Sequence, residues 1–277
     1  MRKALSQFPA FSVLCGFLLA LSCAAPLDAN AEPAPAVVSV FNAYVAQVES
    51  RLARQHSLQQ SFLVPAASDS SGNARLRSGE LMVQQLTPTN GMELPGALLH
   101  HWRATAFLPG VRAANLERLM KDFNAYPQIF APQVLQSKVL WQREQGSSTL
   151  IQASLRVRQQ HVITVVMDSA YDVAFQNVDA QRGYSISRST RIAEVASPGT
   201  ASEHPLNAQD EHGFLWRQHT YWTWEERDGG LYMQVESVSL SRSLPYGVGW
   251  AVRPFVESVP RESLEFTLRS VCNALRK

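Results

Sequence analysis

Cysteine is scarce in this sequence, which has only three among its 277 residues. Two of them, Cys15 and Cys23, lie within the first 31 residues, so a chain that lost this segment would keep Cys272 alone. A single cysteine cannot form an internal disulfide, and Cys272 is expected to act as a small apolar residue on a helix. Stability must then come from a hydrophobic core, which a chain of about 245 residues is long enough to bury.

The sequence also lacks a clear excess of positive or negative charge, because it has 25 Lys and Arg residues and 23 Asp and Glu residues. There is neither a basic stripe nor an acidic tail, which argues against nucleic acid as a partner. The common catalytic and cofactor signatures are absent as well: the sequence contains no G-x-S-x-G, no H-E-x-x-H, no C-x-x-C and no complete G-x-G-x-x-G. We therefore assign no catalytic residue and expect no cofactor.

The histidines do not form a metal-ligand pattern either. His100 and His101 are neighbours on a predicted strand, so their rings point to opposite faces and cannot chelate one metal ion together. The remaining histidines are scattered along the chain. The sequence therefore predicts no metal site.

The start of the chain has the order of a secretory signal. Two basic residues precede an apolar run over residues 8–21, which is too short to span a bilayer comfortably. Small residues follow at Ala29 and Ala31, the −3 and −1 positions of a signal-peptidase site. We predict that residues 1–31 are a cleavable signal peptide and that a periplasmic or secreted protein begins at Glu32.

A lipoprotein signal is the alternative for the same stretch. Cys23 would then be the acylated residue, although Ala20 stands three positions before it, where such signals usually have Leu. In that case acyl chains would anchor the protein to a membrane.

An amphipathic helix is predicted over about residues 37–56, where apolar residues recur at helical spacing. Residues 65–79 are rich in Ala, Ser, Asp and Gly, a composition that is typical of a loop. The sequence thus predicts an N-terminal helix and linker over residues 32–78, followed by a main domain over residues 79–277.

The middle of the chain alternates strictly between apolar and polar residues. Odd positions over 151–157 are Ile, Ala, Leu and Val, whereas the even positions of this stretch are Gln, Ser and Arg. Such alternation is typical of antiparallel strands with one buried and one wet face. Similar patterns predict strands over residues 80–86, 97–108, 134–143, 163–175, 183–195, 213–226 and 231–242, with a tight turn at Asp228-Gly229-Gly230.

A long helix closes the chain. Its apolar stripe is Leu264, Leu268, Val271 and Leu275, and Pro260 suits its first turn. Because a curved antiparallel sheet must cover its apolar face, this helix is the expected cover, and the fold class is α+β.

Two charged residues stand among apolar neighbours on predicted strands. Arg188 shares its strand face with Ile186, and Glu236 shares its face with Tyr232 and Val238. A buried charge is costly unless it is paired, so we expect an Arg188–Glu236 contact if both faces line the interior. The contact would be a structural ion pair or a polar anchor for a ligand headgroup.

Aromatic residues are concentrated late in the chain. Trp216 and Trp222 lie on one face of a predicted strand, and Trp250 lies just before the last helix. Aromatic side chains line apolar pockets, but they also fill cores, and both interpretations are open here.

Five segments together resemble a group of exported bacterial proteins. They are GALLHHW (Gly96–Trp102), STRIAEV (Ser189–Val195), GFLWRQHTYW (Gly213–Trp222), SLSRSLPYGVGW (Ser239–Trp250) and PRESLEFTL (Pro260–Leu268). The resemblance runs from about Gly79 to Lys277. In its order of elements this group is similar to the START-like, or SRPBCC, superfamily.

The resemblance implies a helix-grip fold, in which a curved antiparallel sheet wraps around a long C-terminal helix and leaves a cavity between them. Members of the superfamily mostly bind sterols, lipids, quinones or polyketides, and some are cyclases or aromatases. The resemblance carries no catalytic residue onto this sequence, and an analogy of fold is only an association with a function.

The leading hypothesis is an exported protein that holds an apolar small molecule or lipid in this cavity and contacts a membrane transiently. The residues expected to contact the ligand are Arg188, Glu236, Tyr232, Trp216, Trp222 and Trp250. The alternative is a cyclase- or hydrolase-type enzyme that uses cavity polar groups such as Arg188, Glu236 or Tyr232. Such an enzyme would need an inward acid or base that is free to exchange a proton. A third interpretation is a protein-interaction module that docks a partner through an exposed stripe of the 37–56 helix.

Overall fold

The alternating segments build one curved antiparallel sheet of ten strands. The computed structural model describes residues 32–58, 62–63, 70–87, 92–160, 164–243 and 249–277, and for residues 70–71 and 249–257 it describes the backbone alone. The predicted signal peptide lies outside these residues. The strands are β1 (Met82–Gln85), β2 (Met92–Leu94), β3 (Ala97–Pro109), β4 (Val134–Gln145), β5 (Ser148–Gln160), β6 (Thr164–Asn177), β7 (Arg182–Ala196), β8 (His204–Pro205), β9 (Arg217–Arg227) and β10 (Gly230–Arg242).

The strands follow the order β1-β3-β10-β9-β7-β6-β5-β4, with β2 paired to β3 and β8 paired to β7. The predicted tight turn joins β9 to β10, and both Asp228 and Gly229 have a positive φ there, 56° and 74°. The pairing of β3 with β10 joins segments that are far apart in sequence. It places the early strand 97–109 between β10 and the edge that the short strands β1 and β2 form.

Helices cover both faces of the sheet. They are α1 (Pro35–Ser57), α2 (Ser70–Arg77), α3 (Ala113–Lys121), α4 (Tyr126–Ile129) and α5 (Gly249–Leu275). The last three pack on one side, which we call the α5 face, and the first two pack on the other side, the α1 face. This is the α+β helix-grip fold that the sequence predicts, with an added helical layer on the opposite side of the sheet.

The predicted N-terminal helix is confirmed as α1. Its apolar stripe is buried, with Val37, Phe41, Val45, Val48 and Leu52 as its members. These residues pack against sheet residues that include Leu99, Val238 and Leu240, and residues Ala31–Lys277 form one compact unit. The stripe is therefore covered by the molecule's own sheet, whereas the interaction-module interpretation needed it to be exposed.

The predicted C-terminal helix is present but begins earlier than expected. Because α5 starts at Gly249, Pro260 lies within the helix and not in its first turn. The predicted stripe is correct, since Leu264, Leu268 and Val271 are all buried. None of the described helices is long and apolar enough to cross a membrane.

The segment over residues 65–79, which was predicted to be a loop, contains the short helix α2. Its buried apolar residue is Leu76, in a small cluster with Leu63, Phe107 and Tyr232. A helix with one apolar anchor and several Ser, Gly and Asn residues has no periodic pattern. Its packing against the sheet outweighs its low helix propensity.

Candidate functional site

Large apolar side chains fill the α5 face near the β9–β10 turn. Trp222 and Trp224 of β9 pack there with Phe175 of β6, and all three are almost fully buried. Gly183 of β7 lies directly against the Trp224 indole, where a Cβ atom would come within 2.5 Å of the ring. Glycine is therefore required for this close approach, and this half of the face is a filled core.

Further along the same strands, the α5 face changes to small and polar side chains. In one row across the sheet, Ser237 of β10 pairs with Thr220 of β9, which pairs with Ser187 of β7. The next row brings Ser239 opposite Gln218. We call this set the polar patch; its members are Tyr171, Ser187, Ser189, Gln218, Thr220, Ser237 and Ser239.

Two hydrogen bonds cross the polar patch. The hydroxyl of Tyr171 donates to Oε1 of Gln218 at 3.2 Å, and the backbone N–H of Gln218 donates to Oγ of Ser189 at 3.0 Å. Burial raises the pKa of the Tyr171 phenol, so this group stays neutral. Ser189 and Ser239 are each only 8% exposed, whereas the other five members of the patch are half-buried.

Three buried polar atoms on the same face have no hydrogen-bond partner within the described part of the chain. They are Nε1 of Trp102, Oγ of Ser137 and Oε1 of Gln159. Trp102 stands opposite Ser237 of the polar patch and packs against the α5-face core. Gln159 reaches the last helix, because its Nε2 donates to Oγ of Ser263 at 3.1 Å. Buried polar atoms normally have partners, so these three leave bonding capacity on this face unused.

On the α1 face, Glu236 lies at the centre of a buried charge cluster. Nε of Arg103 donates to its carboxylate at 2.8 Å, His101 Nε2 lies 2.9 Å from it, and Arg51 of α1 also binds it. Burial opposes ionisation of this carboxyl, but the His101 hydrogen bond and the two guanidinium charges outweigh burial and lower its pKa to about 2. Glu236 is therefore a paired anion, as its burial requires.

The predicted contact between Arg188 and Glu236 is wrong. Arg188 instead donates to both carboxylate oxygens of Glu49 on α1, at 2.8 and 2.7 Å. Strand β9 lies between the strands that carry the two residues, so their backbones are separated by about 10 Å, twice the strand spacing. Each charge is paired by a residue of α1, the helix that covers this face of the sheet.

The other predicted ligand contacts are spread over both faces. Trp222 is on the α5 face, whereas Trp216 belongs to the cluster under α1. Tyr232 is also on the α1 face, where its hydroxyl donates to Asp228 at 3.1 Å and its ring lies under the Arg227 guanidinium. The side chain of Trp250 lies outside the described residues. The six residues are thus not brought together in one site.

Sequence reasoning missed the partners of Glu236. Tyr44 extends the cluster, because its hydroxyl lies 3.0 Å from Nδ1 of His101. A signal was present, since His101 and Arg103 are alternate residues of a strand that is otherwise largely apolar. Polar residues that share one face of a buried strand indicate a paired cluster beneath a cover.

Neither a protein-family model nor a curated protein sequence matches this chain. Its fold is similar to a STAR-related lipid transfer protein from Xanthomonas axonopodis, with 17% identity over 70% of this chain and 99% of that chain and a TM-score of 0.40. A START superfamily protein from Mycobacterium smegmatis is 15% identical over 63% of this chain and 97% of that chain, with a TM-score of 0.40.

The Zhui aromatase/cyclase from a Streptomyces species is also similar, with 14% identity over 64% of this chain and 94% of that chain and a TM-score of 0.42. All three similarities are at the level of the fold. Among the described residues, no three His, Cys, Asp or Glu side chains are grouped so that they could hold a metal ion.

Proposed function

We propose that this protein binds an apolar small molecule or lipid between the α5 face of its sheet and helix α5. The observation that carries the proposal is the change from large to small side chains along this face. Trp222 and Trp224 of β9 fill one half, whereas Thr220 follows them on the same face of β9. Ser237 of β10 and Ser187 of β7 lie beside Thr220. Small side chains beneath a covering helix favour space for a ligand, and neutral polar groups can fix its orientation.

The enzyme alternative needs an acid or base that is free to exchange a proton. The residues suggested for that role, Arg188, Glu236 and Tyr232, lie on the α1 face, and each is hydrogen-bonded there. Glu236 is ionised at any pH well above 2 and is held by cations. We therefore favour binding over catalysis.

Export is a second part of the proposal. The order of basic, apolar and small residues over 1–31 supports a cleaved signal. Cleavage before Glu32 would remove no part of α1, whose first residue is Pro35. The mature chain would then keep the complete sheet and both helical layers.

A variant that fills the polar patch tests the binding proposal. Ser187→Phe places a ring at the middle of the patch, so the affinity for the neutral fluorescent probe Nile red should fall by at least about tenfold, the equivalent of about 1.4 kcal/mol. Native mass spectrometry of the wild-type protein, purified from cells that produce it, should also show a bound small molecule.

The matched control is Ser154→Phe, which introduces the same ring on the other face of β5, where Ser154 pairs with Ala170. This variant should bind Nile red as the wild type does. Thermal unfolding of both variants checks that they fold. A folded Ser187→Phe protein with wild-type probe affinity would contradict the proposed location of the site.

A further inference from the structure

We propose that the ligand of the α5 face is an uncharged amphipathic molecule, with a hydrocarbon body and one or a few oxygen atoms that accept hydrogen bonds. Fatty-acid carboxylates and phosphate-bearing lipids are excluded from this class. The inference rests on the proposed function, since it specifies which ligand the same site takes.

The first argument is the charge of the site. Every member of the polar patch is Ser, Thr, Gln or Tyr, so none carries a charge that could pair with an anion. Glu194 lies further along β7, but it is acidic and cannot pair with an anion. Its carboxylate already accepts hydrogen bonds from the backbone N–H groups of His212, Gly213 and Phe214. An ionised ligand group buried here would lose its hydration and gain no counter-charge from the described side chains of the patch, which is unfavourable.

The second argument is the partition of charge between the two faces of the same strands. Arg103 of β3, Glu236 of β10 and Arg188 of β7 all lie on the α1 face, where each is paired. At the neighbouring positions on the α5 face, the side chains are Trp102, Ser237 and Ser187. Each of these three strands therefore carries a charged side chain on the α1 face and an uncharged side chain at the adjacent position on the α5 face.

The third argument is the hydrogen-bonding capacity that remains on the α5 face. The indole Nε1 of Trp102 can only donate, it is buried, and it has no partner within the described residues. A ligand oxygen that accepts this hydrogen bond would satisfy it. Serine hydroxyls of the patch can donate or accept, so they suit an ester, ketone or alcohol oxygen and do not need a charge.

A displacement series with one hydrocarbon chain tests this class. The competitors for bound Nile red are hexadecan-1-ol, methyl hexadecanoate, hexadecanoate and hexadecane, at pH 8 and below their aggregation limits. We expect the alcohol and the ester to displace the probe at concentrations at least about tenfold lower than the carboxylate and the alkane require, because only they have a neutral oxygen. Equal or better displacement by the carboxylate would overturn the inference while leaving the proposed function intact.

Trp102→Phe removes the indole donor and keeps an aromatic ring. It should weaken binding of the ester by about 3- to 10-fold, the usual effect of one neutral hydrogen bond, and leave binding of the alkane unchanged. Trp141→Phe is the control, since Trp141 is 45% exposed on β4. An equal loss for ester and alkane would show that Trp102 acts by packing alone.

If Nile red does not bind to the wild-type protein at all, the proposed function fails together with this inference.

Discussion

At the residue scale, the carboxylate of Glu236 joins three parts of the chain. Arg51 comes from α1, Arg103 and His101 come from β3, and Glu236 itself is on β10. Its side chain is only 2% exposed, so its charge is stable only because these partners replace water. The cluster therefore fixes the C-terminal half of α1 on the sheet.

Removing the negative charge should destabilise the protein strongly. Glu236→Gln leaves two guanidinium groups together without a counter-charge, and we expect a loss of about 3–5 kcal/mol in the free energy of unfolding. Urea denaturation measures this loss. Glu265→Gln breaks only the exposed pair with Arg269 and should cost less than about 0.5 kcal/mol.

The separation of the two charges also makes a prediction. Arg188 and Glu236 have different partners, so the effects of Arg188→Met and Glu236→Gln on the free energy of unfolding should add within about 0.5 kcal/mol. The double variant measured beside the two single variants gives the coupling. A coupling above about 1 kcal/mol would mean that the two clusters are linked through α1.

Leu268 offers an independent test of the α5 face. It is fully buried in the cluster between α5 and the sheet, so Leu268→Ala should lower the free energy of unfolding by about 2–5 kcal/mol. Leu140→Ala is the comparison, because Leu140 is 48% exposed and its loss should be within about 0.5 kcal/mol. Similar small losses at both sites would show that the buried face of α5 is assigned incorrectly.

At the element scale, α1 is held by histidines as well as by its apolar stripe and ion pairs. His56 of α1 stacks on Tyr184 at 4.1 Å and lies 3.0 Å from Oγ1 of Thr223. On the sheet, His219 meets the edge of Phe41 at 5.3 Å. Burial lowers the pKa of both histidines to about 4, so neither is protonated at neutral pH.

These histidines predict that acid loosens the contact between α1 and the sheet. In the unfolded chain their pKa is the ordinary 6.5, so between pH 6.5 and about 4 the unfolded state binds more protons than the folded state. Stability is therefore complete above pH 6.5 and falls as the pH decreases. At pH 5 the loss should be about 1–2 kcal/mol for each histidine, measured by urea denaturation across this range.

Two variants isolate this effect from other acid-sensitive groups. The double change His56→Gln and His219→Gln should flatten the dependence of stability on pH between 6.5 and 5. His204→Gln, at an exposed position, should leave it as in the wild type. A double variant that keeps the full dependence would assign the acid sensitivity to other groups.

At the scale of the whole molecule, the two faces of the sheet have different tasks. The α1 face combines an apolar stripe with paired charges and fixes a permanent helical cover. The α5 face combines a filled aromatic half with the neutral polar patch. With Arg103, Glu236 and Arg188 on the α1 face, the polar patch on the opposite face stays uncharged, and each of these three charges is still paired.

Much of this architecture follows from local sequence patterns. Alternation of apolar and polar residues predicts the long strands, and helical spacing predicts α1 and the stripe of α5, because both depend on side-chain direction along one segment. The apolar environment of Glu236 also correctly predicts that its charge is buried and paired.

The parts that were not predicted depend on contacts between distant segments. Alternation gives each strand two faces but does not tell which helix covers each of them, so Arg188 and Glu236 were assigned to the α5 side. The insertion of β9 between β7 and β10 is a property of strand order, which no single segment encodes. For the same reason, Glu49 and Arg51 could not be recognised as partners from the helix alone.

Export is the last prediction and concerns the whole chain. A fusion of residues 1–40 to a reporter enzyme that is active only in the periplasm should be active, because these residues contain the basic, apolar and small segments in order. N-terminal sequencing of the full-length mature protein should give Glu32. Ala31→Phe should block cleavage, since the −1 position accepts only small residues, whereas Val38→Phe, inside α1, should not affect cleavage. A mature N-terminus at Cys23 that carries diacylglycerol would instead establish the lipoprotein alternative and place the folded sheet at a membrane surface.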